Sequence, residues 1–285
     1  MDPTSQKILL GGGLSDPGEE YIGTYRFYSP QDYTSYTWTV PADVVYIQAF
    51  CLGSGGSPDG FPNGNWGGDG GGGGCSIGVI PVTAGESLIL GVGNVVNNAA
   101  SYKSFGGSGG GFSGLFRGST PLIIAGGGGG GQVNGSYDGG AGGGLTAQAS
   151  SDGFTGGGQS SGSNNSGYLS SGTGGGGGYY GGGGGYWGDA SGGGSGYIGS
   201  SGILHASTAT GSNRNIPGLA TGDRDYQLAP GTSAGGMGFG SGGIGNDYGD
   251  NSYGSGLVVI HTLGSSYDPS SPPTIPYTRT VLATY

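Results

Sequence analysis

The apolar residues of this chain gather in short β-branched and aromatic runs, separated by long stretches that hold almost none. The clearest run is 44–52, VVYIQAFCL. Alternation puts Val45, Ile47, Ala49 and Cys51 on one face and Val44, Tyr46, Phe50 and Leu52 on the other. Both faces are apolar, which predicts a strand buried on two sides. Residues 21–28 and 36–40 read as earlier strands, with Pro41-Ala42-Asp43 turning into the 44–52 run. Residues 76–82 and 87–92 flank Thr83-Ala84-Gly85-Glu86 and read as a hairpin. Residues 115–125 read as a strand kinked at Thr120-Pro121, and 257–262, LVVIHT, as the last clear strand. Together these runs supply one small sandwich core. They cannot cover the chain from Gly126 to Gly256.

Composition explains why the second half is so different. The 79 Gly and 14 Pro make up a third of 285 residues. In a helix interior Gly costs about 1 kcal/mol and Pro about 3 relative to Ala, so helical bundles, coiled coils and doubly wound α/β folds are excluded. Runs such as 126–131 break any Gly-X-Y period and exclude collagen. Each ordered Gly loses roughly 0.5–1 kcal/mol of extra backbone entropy and has no side chain to bury. What it keeps is a free amide and carbonyl. Extended polyproline-II-like Gly segments carry no internal hydrogen bonds, so they can bond sideways to one another at about 0.5–1.5 kcal/mol net per bond. The runs at 70–74, 126–131, 174–178 and 181–185 suit this packing. The expected fold class is therefore all-β: a small, jelly-roll-like β-sandwich with a polyglycine-II-like insert and essentially no α-helix.

Charge narrows the function. Seven Lys+Arg against seventeen Asp+Glu give −10, and the arginines (Arg26, Arg117, Arg214, Arg224, Arg279) are scattered, which argues against nucleic acid as a partner. No run approaches 18 apolar residues, so membrane insertion is not expected. The opening MDPTSQKILLGGG is no secretory leader, and the expectation is a protein made in a host cytoplasm. In that setting Cys51 and Cys75 are expected as free thiols. They could pair only if neighbouring strands bring their Cα atoms within about 7 Å.

Catalytic and cofactor signatures are weak. Gly-x-Ser-x-Gly occurs at 106–110 and 158–162, but the hydrolase elbow needs a strand-to-helix context with His and acid partners. The chain holds only His205 and His261, and His261 lies inside a strand run. Lys103-Ser104 follows Tyr102 rather than Gly, so no P-loop is present. Residues 242–247, GGIGND, match one unit of a calcium repeat that recurs in tandem elsewhere, which makes Asp247 and Asp250 weak calcium candidates. Neither an enzyme nor a cofactor is expected. GDRD at 222–225 reads as a charged turn.

The order of segments carries a resemblance. TWTVPADVVYIQAFCLGSGG is followed by GGGGGCSIGVIPVTAGESLILGVG, then by the stretch from Phe105 to Gly131, then by GGGGGYYGGGGGYWGDASGGGSGYI and GSGLVVI. Over about 38–260 this resembles the glycine-rich domain of tailed-bacteriophage tail-fibre and adhesin proteins. The resemblance implies a β-sandwich with a bundle of polyglycine-II helices, on a virion, often as a homotrimer. It implies as partners other virion proteins, further copies of itself, and a host surface glycan or outer-membrane protein. Asp43 stands where that family usually has Gly.

The expected organisation is an N-terminal arm at 1–20, the glycine-rich sandwich at 21–263 with its insert at about 126–256, and a Pro-rich tail at 264–285. The arms could anchor to another virion protein, swap between subunits, or be ordinary termini. Tyr168, Tyr179, Tyr180, Tyr186, Trp187 and Tyr197 are the receptor-contact candidates, amphipathic rings in Gly/Ser loops; Trp66, Tyr248 and Tyr253 occupy similar loops. Capping the exposed flanks of the Gly bundle or filling subunit contacts is the alternative role for these rings. The functional expectation is a non-enzymatic virion protein of tail-fibre or adhesin type, with a capsid- or tail-decorating protein or a filament subunit as alternatives.

Overall fold

A computed structural model of the chain describes residues 21–28, 34–58, 67–94, 107–132, 135–157, 173–185, 189–200, 202–212, 215, 254–273 and 281–284. Its strands are β1 (Tyr21–Tyr28), β2 (Thr34–Thr39), β3 (Tyr46–Leu52), β4 (Cys75–Pro81), β5 (Ser87–Val92) and β6 (Ser113–Arg117), followed by β7 (Thr120–Ala125), β8 (Tyr197–Ile198), β9 (Leu204–Ala209), β10 (Leu257–Leu263) and β11 (Val281–Thr284). Among the described residues there is no helix, and so none long and apolar enough to cross a membrane. One sheet has the order β11-β1-β10-β3-β4-β9 and the other β2-β5-β6-β7-β8. All pairings are antiparallel except β1 with β11. The architecture is an all-β sandwich, as the hydrophobic runs require.

The core lies between the sheets. Phe27, Ile47, Ala49, Cys51, Ile80, Val258 and Ile260 from the first sheet meet Trp38, Leu88, Leu90, Val92, Leu115, Ile123 and Ala125 from the second. A second cluster, Phe50, Leu52, Cys75, Leu257 and Val259, occupies the opposite side of the first sheet. β3 is thus buried on both faces, as its sequence predicts. The alternation fails only before the strand begins: Val44 is buried and Val45 is 37% exposed, because the chain turns at Asp43, whose φ is +67°. That left-handed conformation suits Gly best and is tolerated by Asp, so the Asp at this place costs the turn little.

Three sequence expectations need correction. Residues 76–82 and 87–92 are not a hairpin. The turn at 83–86 is real, with Glu86 N–H on the Thr83 carbonyl at 2.9 Å, but it carries the chain from β4 in one sheet to β5 in the other. β4 pairs instead with β3 and β9, and β5 with β2 and β6. Residues 115–125 are not one kinked strand but the hairpin β6–β7, turning at Gly118 and Ser119. Gly118 has φ +59°, a sign that a two-residue II′ turn demands at its first position. Lastly, β8 and β9 lack a strong apolar run and escaped the reading, whereas β11 falls in the β-prone end of the tail, TRTVLATY. Val281–Thr284, from the Pro-rich tail, adds to the sandwich edge beside β1.

The two cysteines are free and buried. Cys75 lies opposite Leu52 in the β3–β4 register, one step from Cys51. A one-step offset turns the side chains to opposite faces: Cys51 joins the core between the sheets and Cys75 the outer cluster. They cannot pair, and burial pushes the Cys51 thiol far above the ordinary range.

Five Gly tracts leave the sandwich from one end. Residues 53–58 follow β3, 67–74 lead into β4, 107–112 lead into β6, 126–132 follow β7, and 191–196 lead into β8. Registers such as Leu52↔Cys75, Leu52↔Leu257, Ser113↔Ala125 and Ile124↔Tyr197 bring these strand ends together. Tracts 53–58, 67–74 and 107–112 precede residue 126, so the glycine packing is built from loops throughout the chain.

The tract that leaves β7 is the centre of this packing. It donates from Gly127 and Gly130 to the carbonyls of Gly177 and Gly174, from Gly128 and Gly131 to Ser54 and Ser57, and from Gly129 to Gly140. It accepts from Gly71 and Gly74, from Gly107 and Gly110, and from Ser191 and Gly194. Partners recur every third residue, the period of a polyproline-II helix. Six tracts therefore surround one, and each is also bonded to the next around the ring: 53–57, 107–111, 174–178, 191–195, 139–143 and 67–74. Tract 53–57 runs parallel to the centre and the other five antiparallel, as their register shows. The result is a hexagonal lattice of extended chains.

Only Gly fits inside it. A Cβ at Gly126, Gly127, Gly128, Gly129, Gly130 or Gly131 would lie 1.9 to 2.1 Å from a neighbour's carbonyl oxygen. Where a tract carries Ser, the hydroxyl joins the bonding: Ser191 Oγ accepts from Gly130 N–H at 2.7 Å and donates to the Gly174 carbonyl.

Gly128→Ala should therefore destabilise the fold by about 3 kcal/mol or more, in the range of severe overpacking. Gly181→Ala, whose Cβ meets nothing closer than 3.7 Å, should stay within about 0.5 kcal/mol; denaturant unfolding of both variants checks this. Neither thiol should react with a thiol reagent until the protein unfolds, and reduction should leave the mass of the native protein unchanged.

Candidate functional site

Of the six receptor-contact candidates, Tyr179, Tyr180 and Tyr197 fall within the described residues; Tyr168, Tyr186 and Trp187 lie outside them, as do Trp66, Tyr248, Tyr253, Asp247 and Asp250. The structure brings the three together. Tyr179 and Tyr180 follow lattice tract 174–178, and Tyr197 opens β8, where the lattice meets the sandwich. The rings of Tyr179 and Tyr197 stack at 4.1 Å and 16°, and those of Tyr179 and Tyr180 meet edge to face at 4.8 Å and 73°. All three are half-buried.

Ser195 fixes this arrangement. Its carbonyl accepts Tyr179 N–H at 2.9 Å, its hydroxyl accepts Tyr180 N–H at 3.1 Å, and its own N–H donates to the Tyr180 carbonyl at 2.9 Å. Ser195 is itself fully buried. The backbone under the rings is thus held by the bonding that holds the lattice, and the rings are pre-set rather than free to rearrange. Sequence reading singled out the rings and missed Ser195, because one Ser among many in Gly-rich text gives no signal.

It also missed Tyr137, which is 46% exposed in a loop of the lattice. Tyr137 bonds through its carbonyl to Gln132 N–H, and the Gln132 side chain reaches Asp189 Oδ1 at 3.3 Å. Other carboxylates near the lattice serve its backbone. Asp138 Oδ1 accepts Asp69 N–H, and Asp152 Oδ2 accepts Ala190 N–H, both at 2.9 Å. Among the described residues no group of three His, Cys, Asp or Glu side chains is placed to hold a metal ion.

The motif residues take structural positions. Ser108, of the Gly-x-Ser-x-Gly match, lies in a lattice tract with its N–H on Ser57 Oγ at 2.7 Å. His261 is buried in β10 with Nδ1 2.9 Å from Thr24 Oγ1 on β1. His205 sits in β9 at φ +48°, with Nε2 3.0 Å from the Pro269 carbonyl.

No protein-family model matches the sequence, and no curated protein matches it. What this surface can do follows from its chemistry: partly exposed aromatic faces on a fixed backbone, flanked by peptide groups, suit stacking on a planar or ring-shaped partner.

A double-mutant cycle on Tyr179→Ala and Tyr197→Ala should give a coupling of about 0.5–1.5 kcal/mol in unfolding free energy, the value of a stacked pair beyond its buried area. Independent effects that simply add would mean that the rings do not interact in solution.

Proposed function

We propose that this chain is a non-enzymatic structural protein of a tailed-phage virion, of tail-fibre or adhesin type, which presents its glycine- and aromatic-rich loops to a host receptor. The observation that carries this reading is the Tyr179–Tyr180–Tyr197 cluster, held at the flank of a glycine lattice by Ser195. Rigid aromatic groups lose little entropy when they bind, which favours recognition over adaptable packing. A lattice held together by backbone bonds also leaves its loop side chains free to vary without loss of the core.

The order of Gly tracts and strands supports the phage kinship on the same terms as in the sequence. The receptor in this reading is a surface glycan or an outer-membrane protein. The anchoring partners are other virion proteins, and the assembly is a homo-oligomer, a trimer by family resemblance.

Two experiments test the reading on the particle that carries the protein. Antibody labelling should mark the distal end of the tail. Purified protein should block adsorption to host cells, and the Tyr179→Ala/Tyr197→Ala double variant should block it about tenfold less well, the loss of roughly one good contact. Labelling on the capsid with no competition for adsorption would contradict the adhesin reading and fit a decorating protein instead.

A further inference from the structure

Among the described residues the lattice has an open side. Tract 126–131 is bonded to neighbours in all six directions, whereas tract 174–178 is bonded in four: to 126–131, 107–111, 191–195 and the segment containing Gly182. Among the described residues, the N–H and C=O of Gly175 and Gly178 have no hydrogen-bond partner, and neither has either group of Gly109 in the adjacent tract. All three residues are partly exposed. Gly175 and Gly178 are three residues apart, so they face the same way in a three-fold helix.

Around the central tract, neighbours that donate alternate with neighbours that accept. Continued outward, that alternation sets the chemistry of the groove between 107–111 and 174–178. A further extended chain laid there would accept from Gly109 N–H and donate to the carbonyls of Gly175 and Gly178. It would need Gly where it meets the lattice, for the same reason that the inner tracts do.

We propose that this edge is a docking surface for a second copy of the chain, which adds one of its own extended glycine tracts as the next row of the lattice. Three observations favour that occupant. The packing inside the molecule is continuous with the open groove and accepts neighbours of either direction, since parallel and antiparallel tracts both bond the centre. The chain itself is rich in the required segment, with Gly at 79 of 285 positions. The edge carries no charge: residues 107–111 and 173–178 contain only Gly, Ser and Thr, so the net charge of −10 opposes docking there only weakly. Each lattice contact has donors on one side and acceptors on the other, which makes the joint heterologous, and copies joined this way close into a ring or run on. The inference rests on the lattice alone and is independent of the virion reading.

The test combines sedimentation velocity over a wide concentration range with amide hydrogen exchange at the same concentrations. The intact protein should associate as concentration rises, and the amide of Gly109, whose N–H bonds the docked tract, should gain about tenfold in protection, the equivalent of one hydrogen bond. Gly177→Ala adds a methyl beside the groove, with Phe112 N at 3.3 Å and Gly111 Cα at 3.5 Å as its nearest atoms. It should weaken association about tenfold with the melting temperature unchanged. If that variant melts early, the wild-type protection series decides alone. A protein that stays monomeric, one that associates while the Gly109 amide keeps exchanging as before, or a stable Gly177→Ala that associates like wild type would each overturn the proposal.

Discussion

The peptide group bonded sideways is the interaction on which this molecule depends. In a sheet a chain bonds two neighbours; in the lattice around residues 126–131 it bonds six, because three residues per turn aim successive amides and carbonyls in different directions. That arrangement places a neighbour's oxygen where a Cβ would stand. The high Gly content is therefore a condition of the packing rather than a sign of looseness.

The sandwich matters to the lattice as an organiser. Strands in a sheet lie about 4.7–4.9 Å apart, a distance fixed by the hydrogen bond. The tracts that continue those strands enter the lattice already spaced by the same bond, with N···O distances of 2.7 to 3.2 Å. The core formed by Ile47, Leu90, Ile123 and Ile260 holds the strand ends in register, so side-chain burial at one end fixes chain positions for backbone bonding at the other. The same lattice fixes the backbone beneath the aromatic cluster through Ser195. Fold, lattice and candidate surface are one mechanical unit.

Much of this was legible in the sequence, and the exceptions have physical causes. Strong β-branched runs at 44–52 and 257–262 announced β3 and β10, and the entropy of Gly pointed to lateral backbone bonding. Pairing was less legible. Val79 and Leu90 lie close in sequence, yet the turn between their strands can close a hairpin or cross between sheets, and local residues do not distinguish the two. β9, LHASTA, has little apolar character because it is an edge strand with exposed residues, so periodicity could not find it. Of the site, the tyrosines could be named from their loops, but their stacking depends on tracts brought together from 174–178 and 191–195, which no local pattern encodes.

The most direct measurement is amide hydrogen exchange, resolved by residue, across Gly127 to Gly131. If lateral bonding holds the middle of the molecule, these amides should be protected to within about tenfold of those in β3 and β10, opening only with the whole fold. Exchange of the same amides at the rate of an unstructured glycine chain, while β3 and β10 stay protected, would contradict the account.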